Sequence, residues 1–168
     1  MGVSGARYVH TNLIARDWQR LARFYHDVFG CMPVPPERNL SGAEMEAGTG
    51  VPAARLRGMH MRLPGVGPDG PTLEIFEYSE PAAEVTRLPH RPGFAHIAFA
   101  VDSVAAAREQ VMSHGGSPVG DVVTVAVAPS ASVDAILTMR GHFDRRRCGS
   151  AARMIRGCAV SITASALS

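Results

Sequence analysis

Three side chains able to transfer protons or to bind metal ions, His10, Glu74 and His96, lie in segments that alternate like β-strands. Imidazole and carboxylate groups carry much of the acid–base and divalent-metal chemistry of proteins near neutral pH. Each segment is short and bounded by glycine, proline or a helix-capping residue, as strands are. The three segments are residues 8–13, 72–78 and 94–101.

Strand alternation predicts that these three side chains share the concave side of the sheets. Side chains two residues apart lie on one face of a strand. The opposite face is apolar and suits packing under a helix; it carries Val9, Leu13, Ile97, Phe99 and Val101. The alternative is that both histidines are hydrogen-bonded core residues and that Glu74 is solvated. A solvated Glu74 is less favourable, because Phe76 and Tyr78 make its face of the strand partly apolar and an unpaired carboxylate there would be costly.

A helix follows the first strand. Asp17 is typical of a helix N-cap, and Gly30 of the left-handed residue that ends a helix. Between them, apolar residues recur at helical spacing. They are Trp18, Leu21, Tyr25, Val28 and Phe29.

The next segments complete a β-α-β-β-β order. After the helix we expect a strand that stops at Pro35-Pro36, then a loop or weak strand, then two further strands. Gly65 to Gly70 is interpreted as the turn between the last two, because its prolines and the lack of a following helix do not suit a phosphate loop. The segments are 31–34, 41–53, 54–63 and 72–78.

The same pattern restarts at His96. The distance from His96 to Gly116 is 20 residues, the same as from His10 to Gly30, and Asp102 is the second candidate N-cap. A repeat is stronger evidence of architecture than local propensity. The chain is therefore predicted to be an α+β protein of two βαβββ modules, with residues 81–92 as the linker.

These segments resemble the vicinal oxygen chelate superfamily, which includes glyoxalase I, methylmalonyl-CoA epimerase, extradiol dioxygenases and bleomycin- or fosfomycin-resistance proteins. The resemblance is carried by residues 10–30, 73–78 and 93–102 and spans roughly residues 7–125. It implies that two βαβββ modules form an open, cupped, barrel-like sheet around one divalent metal.

The resemblance also implies the site. His10, Glu74 and His96 are carried over as three of four metal ligands, and Glu74 also as the catalytic carboxylate. This donor set suits Zn, Ni, Co, Mn or Fe. The fourth ligand should come from the last strand of the second module, where no glutamate occurs; His142 and Asp144 are the candidates there. The expected pocket residues are Tyr8, Asn12, His60, Phe76 and Tyr78.

The composition changes in the last quarter of the chain. All 17 basic residues are arginine, and the net charge is +2. Residues 1–127 have 11 Arg and 13 acidic residues, a balance of −2, whereas residues 128–168 have 6 Arg and 2 Asp, a balance of +4. The last glutamate is Glu109.

This change leads to a prediction about domains. We expect a glyoxalase-like domain over 1–127, with modules 7–80 and 93–127 onward and the second one incomplete, followed by an atypical Arg-, Ala- and Ser-rich tail over 128–168. The tail is interpreted either as the product of a reading-frame change near residues 126–130 or as a genuine tail that is disordered or packs elsewhere.

The predicted function is that of a glyoxalase-like, metal-dependent lyase or isomerase that acts on a small carbonyl or hydroxy-acid substrate. The alternatives are a non-catalytic protein that binds a small molecule or drug, as in resistance, and an Fe(II) extradiol-type dioxygenase. We expect a homodimer in the cytoplasm, without nucleic-acid or membrane partners. The sequence has no Ser-His-Asp arrangement, no dinucleotide-binding glycine pattern and no apolar run of about 18 residues.

Overall fold

The structure is a computed structural model that describes residues 2–83, 92–122, 136–140 and 158–163, the last two ranges as strand backbone. The chain divides into two compact units, Met1–Ala83 and Glu84–Ser168. Each unit contains a four-stranded sheet. Within the described ranges, no helix has the length and apolar character needed to cross a membrane.

The first unit has the predicted order of one strand, one helix and three strands, with an additional short helix. Its sheet has the order β1-β4-β3-β2, in which β1 is parallel to β4 and the other pairs are antiparallel. The α+β class is thus confirmed. The elements are β1 (His10–Ile14), α1 (Trp18–Phe29), β2 (Met32–Ser41), α2 (Ala43–Thr49), β3 (Arg55–Arg62) and β4 (Thr72–Tyr78).

Helix α1 begins and ends where the sequence predicts. The Asp17 carboxylate accepts a hydrogen bond from the backbone N–H of Arg20 at 2.9 Å, and Gly30 has φ 69° and ψ 23°. The side-chain oxygen satisfies one of the free donors at the helix N-terminus, and glycine adopts the left-handed conformation without steric cost.

Helix α1 covers one face of the sheet. The residues at the centre of that face are almost fully buried, among them Leu73 at 1% exposure and Ile75 at 0%. Since successive side chains point to opposite faces, Glu74 between them lies on the other face. That second face carries a smaller apolar cluster of Ala54, Leu56 and Phe76, against which Met45 and Tyr78 pack.

Two predictions about the middle of this unit are wrong. Strand β2 does not stop at Pro35-Pro36 but continues to Ser41, with a shift of register between Val34 and Arg38. It can do so because β2 is an edge strand, where proline need not donate to a ladder. The segment 41–53, expected to be a loop or weak strand, contains α2, which ends at Gly50 with φ 68°.

The second unit has the same order of elements. They are β5 (Ile97–Val101), α3 (Val104–Ser113), β6 (Ser117–Pro118), β7 (Ile136–Arg140) and β8 (Cys158–Thr163). The sheet order β5-β8-β7-β6 corresponds to that of the first unit. The strand directions differ: β8 is antiparallel to β5 and parallel to β7, whereas β4 is parallel to β1.

Two further expectations concern this unit. Ser103, not Asp102, is the N-cap of α3, because its hydroxyl accepts from the backbone N–H of Ala106 at 3.2 Å. Strands β7 and β8 fall within 128–168, and the bounds proposed for the atypical tail stay a prediction. Most of the strand expected at 121–127 lies outside the described residues.

Candidate functional site

Glu74 is at the centre of a polar cluster on the sheet face opposite α1. Strand β4 lies between β1 and β3, and the registers place Glu74 beside Asn12 on one side and His60 on the other. His10 lies two residues before Asn12 on the same face. Four of the residues expected from the sequence to be ligands or pocket residues are thus brought together.

The contacts within this cluster all converge on the Glu74 carboxylate. The Asn12 side-chain amide donates to Oε2 at 2.6 Å, and Nε2 of His10 lies 3.4 Å from the same oxygen. Nε2 of His60 lies 3.1 Å from Oε1. Both carboxylate oxygens are therefore occupied, and the orientation of Glu74 is fixed from two neighbouring strands.

The second ring nitrogen of His60 is held by Thr72. Nδ1 lies 3.1 Å from the Thr72 hydroxyl oxygen. A hydroxyl can donate or accept, so Thr72 can stabilise either neutral tautomer of the ring. When Nδ1 donates to Thr72, the lone pair of Nε2 is free. The only signal of Thr72 in the sequence is its position two residues before Glu74, on the same face.

Burial increases from the edge of the cluster toward its centre. The side chain of His10 is 40% exposed, that of His60 22% and that of Glu74 18%. Burial lowers the pKa of His60; Glu74 acts in the opposite direction, and the positive charge of Arg38 and the neighbouring His10 lower it further. The balance favours the neutral imidazole, which is the form that accepts a proton or binds a metal ion.

Aromatic contacts support the cluster from one side. The ring of His60 packs edge-on against Phe76, with centroids 6.4 Å apart, and against His10 at 5.9 Å. Phe76 is 3% exposed, and Tyr78 packs on the same apolar cluster. Gly58 makes room for Phe76, because a Cβ atom there would lie 2.3 Å from its ring.

The other predicted site residues are Tyr8 in the first unit and His96, His142 and Asp144 in the second. Tyr8 is 64% exposed, and its hydroxyl is hydrogen-bonded to that of Thr11. His96 is exposed and directly precedes β5 in the second unit. His142 and Asp144 lie outside the described residues.

The second unit has no carboxylate at the strand position that corresponds to Glu74. In the first unit, Asn12 lies two residues after His10 and is the register partner of Glu74 on β4. In the second unit, Ala98 lies two residues after His96 and is the register partner of Ser161 on β8. Ser161 in turn pairs with Thr138 on β7. The absence of a glutamate from the last strand, noted in the sequence, thus has a structural counterpart in Ser161.

Glu77, on the face of β4 opposite Glu74, has a structural role. Its side chain is 18% exposed; Oε1 accepts from Arg57 at 2.6 Å and Oε2 from the backbone N–H of Trp18 at 3.2 Å. The carboxylate therefore satisfies a free donor in the first turn of α1 and complements the helix dipole. That contact joins two elements 59 residues apart, so no local pattern could reveal it.

Comparison with known proteins decides the family. The profile of the Glyoxalase/Bleomycin resistance protein/Dioxygenase superfamily matches residues 7–133. The chain belongs to this superfamily. No protein of established annotation matches the sequence significantly.

Two solved structures show the fold of this glyoxalase-superfamily chain. A glyoxalase family protein from Bacillus cereus superposes with a TM-score of 0.68 at 12% identity, over 96% of this chain and 97% of that one. A glyoxylase/bleomycin resistance protein/dioxygenase domain from Frankia superposes with a TM-score of 0.53 at 17% identity, over 96% and 98% of the two chains.

The donor types around Glu74 fit the divalent metal that this superfamily typically uses. Two imidazole nitrogens and two carboxylate oxygens meet there, and first-row divalent metals accept both donor types. Across the described ranges, no three His, Cys, Asp or Glu side chains have the arrangement of a formed metal site. Binding a metal ion through His10 and Glu74 would mean exchanging the contact between these two side chains for contacts with the ion.

Proposed function

We propose that this glyoxalase-superfamily chain is a metal-dependent lyase or isomerase acting on a small oxygenated substrate, a carbonyl compound or a hydroxy acid. The observation that supports the proposal best is the contact of Glu74 with His10, His60 and Asn12. A carboxylate fixed beside neutral imidazole is an arrangement that can both ligate a cation and move a proton.

In this proposal His10 and Glu74 hold the metal ion, and His96 of the second unit is the third ligand predicted from the sequence. The bound ion supplies Lewis-acid polarisation of a substrate oxygen. The hydrogen bond from Asn12 to Oε2 keeps the Glu74 carboxylate oriented. A fixed carboxylate loses less conformational freedom when the substrate binds.

Glu74 and His60 carry the proton transfer. Oε1 of Glu74 takes a proton from the carbon next to the carbonyl, and Nε2 of His60, 3.1 Å from that oxygen, accepts a hydrogen bond from the resulting carboxylic acid. Return of the proton to a different carbon or face of the substrate restores the carboxylate and completes an isomerisation. Thr72 keeps the His60 ring in position through Nδ1.

A non-catalytic small-molecule-binding protein is the second candidate. The non-catalytic function is supported by Ser161, which occupies the strand position in the second unit that corresponds to Glu74. A serine hydroxyl is a weaker metal ligand than a carboxylate. The extradiol-type dioxygenase, the homodimer and the cytoplasmic location stay predictions from the sequence.

The metal content of the full-length protein tests the proposal. The purified chain is incubated with Zn, Mn, Fe, Co or Ni, desalted and analysed by mass spectrometry, alongside His10→Ala, Glu74→Gln and His96→Ala. We expect about one ion per chain in the unmodified protein and loss of the ion in each variant. Specific retention of iron would instead favour the dioxygenase.

The matched control is His26→Ala, whose imidazole is exposed at the end of α1 and pairs with Asp27. This variant should keep the ion. Equal metal content in Glu74→Gln and the unmodified chain would refute the ligand assignment and leave the non-catalytic binding protein as the better description.

A further inference from the structure

The face that carries Glu74 has more positive than negative charge. Arg38 on β2 is the register partner of Gly58, and Arg62 on β3 lies two residues after His60, so both arginines share the face of Glu74. Among the residues of β1 to β4 on this face, the formally charged side chains are those two arginines and Glu74. The histidines aside, the face has two positive charges and one negative charge.

Arg62 has an unsatisfied donor. Its Nε atom is buried and has no hydrogen-bond partner within the described part of the chain. A buried N–H without an acceptor costs free energy, and such groups are rare in native proteins unless a ligand or water completes them. Arg62 on β3 and His10 on β1 are both register partners of Thr72 on β4. Because Thr72 lies two residues before Glu74 on the same face, Arg62 belongs to the set of paired residues that neighbours Glu74.

Arg38 is the second arginine on this face. It is the register partner of Gly58, which precedes His60 by two residues on β3 and therefore lies on the same face. The Arg38 side chain is half-buried.

We propose that Arg62, assisted by Arg38, binds the carboxylate of a small keto or hydroxy monocarboxylic acid and thereby places the carbon that loses a proton next to Glu74. Guanidinium groups bind carboxylates through charge-assisted, often paired hydrogen bonds. This inference names the substrate class and rests on the proposed function, because it assumes that the substrate reacts at Glu74.

Binding to the metal-free protein tests the inference independently of activity. Pyruvate and its neutral amide, pyruvamide, are titrated into chelator-treated full-length protein at constant ionic strength, and binding is followed by calorimetry. We expect pyruvate to bind at least tenfold more tightly than pyruvamide. Arg62→Gln should weaken pyruvate binding about tenfold or more and leave pyruvamide binding unchanged, and Arg62→Lys should recover part of the loss.

The control is Arg55→Gln, on the same strand but on the opposite face. It removes the same charge from the protein, so it separates a local contact from a general effect of net charge. Should Arg62→Gln fail to fold, as judged by circular dichroism, Arg38→Gln tests the same carboxylate site and should weaken pyruvate binding at least threefold.

Two results would overturn the inference. Equal effects of Arg62→Gln and Arg55→Gln on pyruvate binding would show that Arg62 makes no specific contact. Tighter binding of inorganic phosphate than of pyruvate, with the same dependence on Arg62, would replace the carboxylate by a phosphate group. If the unmodified protein binds no metal ion but binds pyruvate through Arg62, the proposed function is refuted and the assignment of Arg62 to the carboxylate stands.

Discussion

Glu74 and His60 are register partners on adjacent antiparallel strands, and Oε1 of the carboxylate lies 3.1 Å from Nε2 of the imidazole. Asn12 holds the other carboxylate oxygen from the parallel strand on the far side. The site is therefore built by the register of three strands, and it is sensitive to the groups that fix the His60 ring and to those that hold the strands in place.

Loss of the Thr72 hydroxyl should weaken the site without removing a ligand. Thr72→Val removes the partner of His60 Nδ1 and keeps the shape and β-propensity of the residue. Groups that orient a histidine in a metal site are typically worth about 10- to 100-fold in activity. Because His60 is assigned to proton transfer, we expect a loss of that size in the exchange of carbon-bound substrate hydrogen for deuterium, measured by NMR, with unchanged metal content. Thr72→Ser, which keeps the hydroxyl, should lose much less; equal losses in both variants would contradict the role of the hydroxyl.

Glu77→Gln should destabilise the fold and leave the site unchanged. The substitution removes the charge that faces the N–H of Trp18 and the guanidinium of Arg57. Hydrogen bonds with a charged partner are worth about 1.5–3 kcal/mol, and part of this is retained by the amide. We expect the free energy of unfolding in urea to fall by about 1–2 kcal/mol with unchanged metal content. The exposed Glu80→Gln is the control; an equal effect there would point to net charge alone.

Gly58→Ala should be strongly destabilising. A Cβ atom at this position would lie 2.0 Å from the carbonyl oxygen of Ile75 and 2.3 Å from the Phe76 ring. The backbone of β4 would have to move, and overpacking of this kind costs typically about 1–3 kcal/mol. Chemical denaturation measures the loss. Gly67→Ala, where a Cβ atom meets open space, should be close to neutral; a neutral Gly58→Ala would show that β4 can shift freely.

Cys31 should be unreactive in the folded protein and should make stability fall at high pH. The residue is 0% exposed, and burial raises the pKa of the thiol from its ordinary value of 9.0 to about 12. The unfolded chain releases this proton above about pH 9 and the folded chain does not. The contribution of the protonated Cys31 thiol to the free energy of unfolding is therefore complete below pH 9. It is lost as the pH rises toward 12, by at most about 1.4 kcal/mol per pH unit.

Peptide mapping after treatment with iodoacetamide at pH 8 should find Cys31 unlabelled in the native protein and labelled in guanidinium chloride. The slope of unfolding free energy against pH between 9 and 12 should be shallower in Cys31→Ala. Burial also raises the pKa of Tyr25, so a residual slope is expected in that variant. Rapid labelling of Cys31 in the native state would be inconsistent with its burial.

The sequence by itself determined the local elements of this protein. Asp17 and Gly30 define α1 because capping and left-handed glycine are properties of a few neighbouring residues. The alternation through Glu74 predicted β4 and the face of its side chains, and the repeat at His96 predicted the α+β architecture. The segment 41–53 was misjudged because its glycines and alanines carry no periodic pattern, although α2 forms there.

Only the tertiary structure decided which polar groups meet. His60 contacts Glu74 across a sequence separation of 14 positions, and Glu77 contacts α1 across a separation of 59 positions. Turn geometry and the burial of Leu73 and Ile75 set the strand pairing that brings these groups together. The opposite direction of β8 relative to its counterpart β4 is likewise a property of strand pairing. A shift of one residue in register would turn each of these side chains to the other face, and the residue types alone do not specify that register.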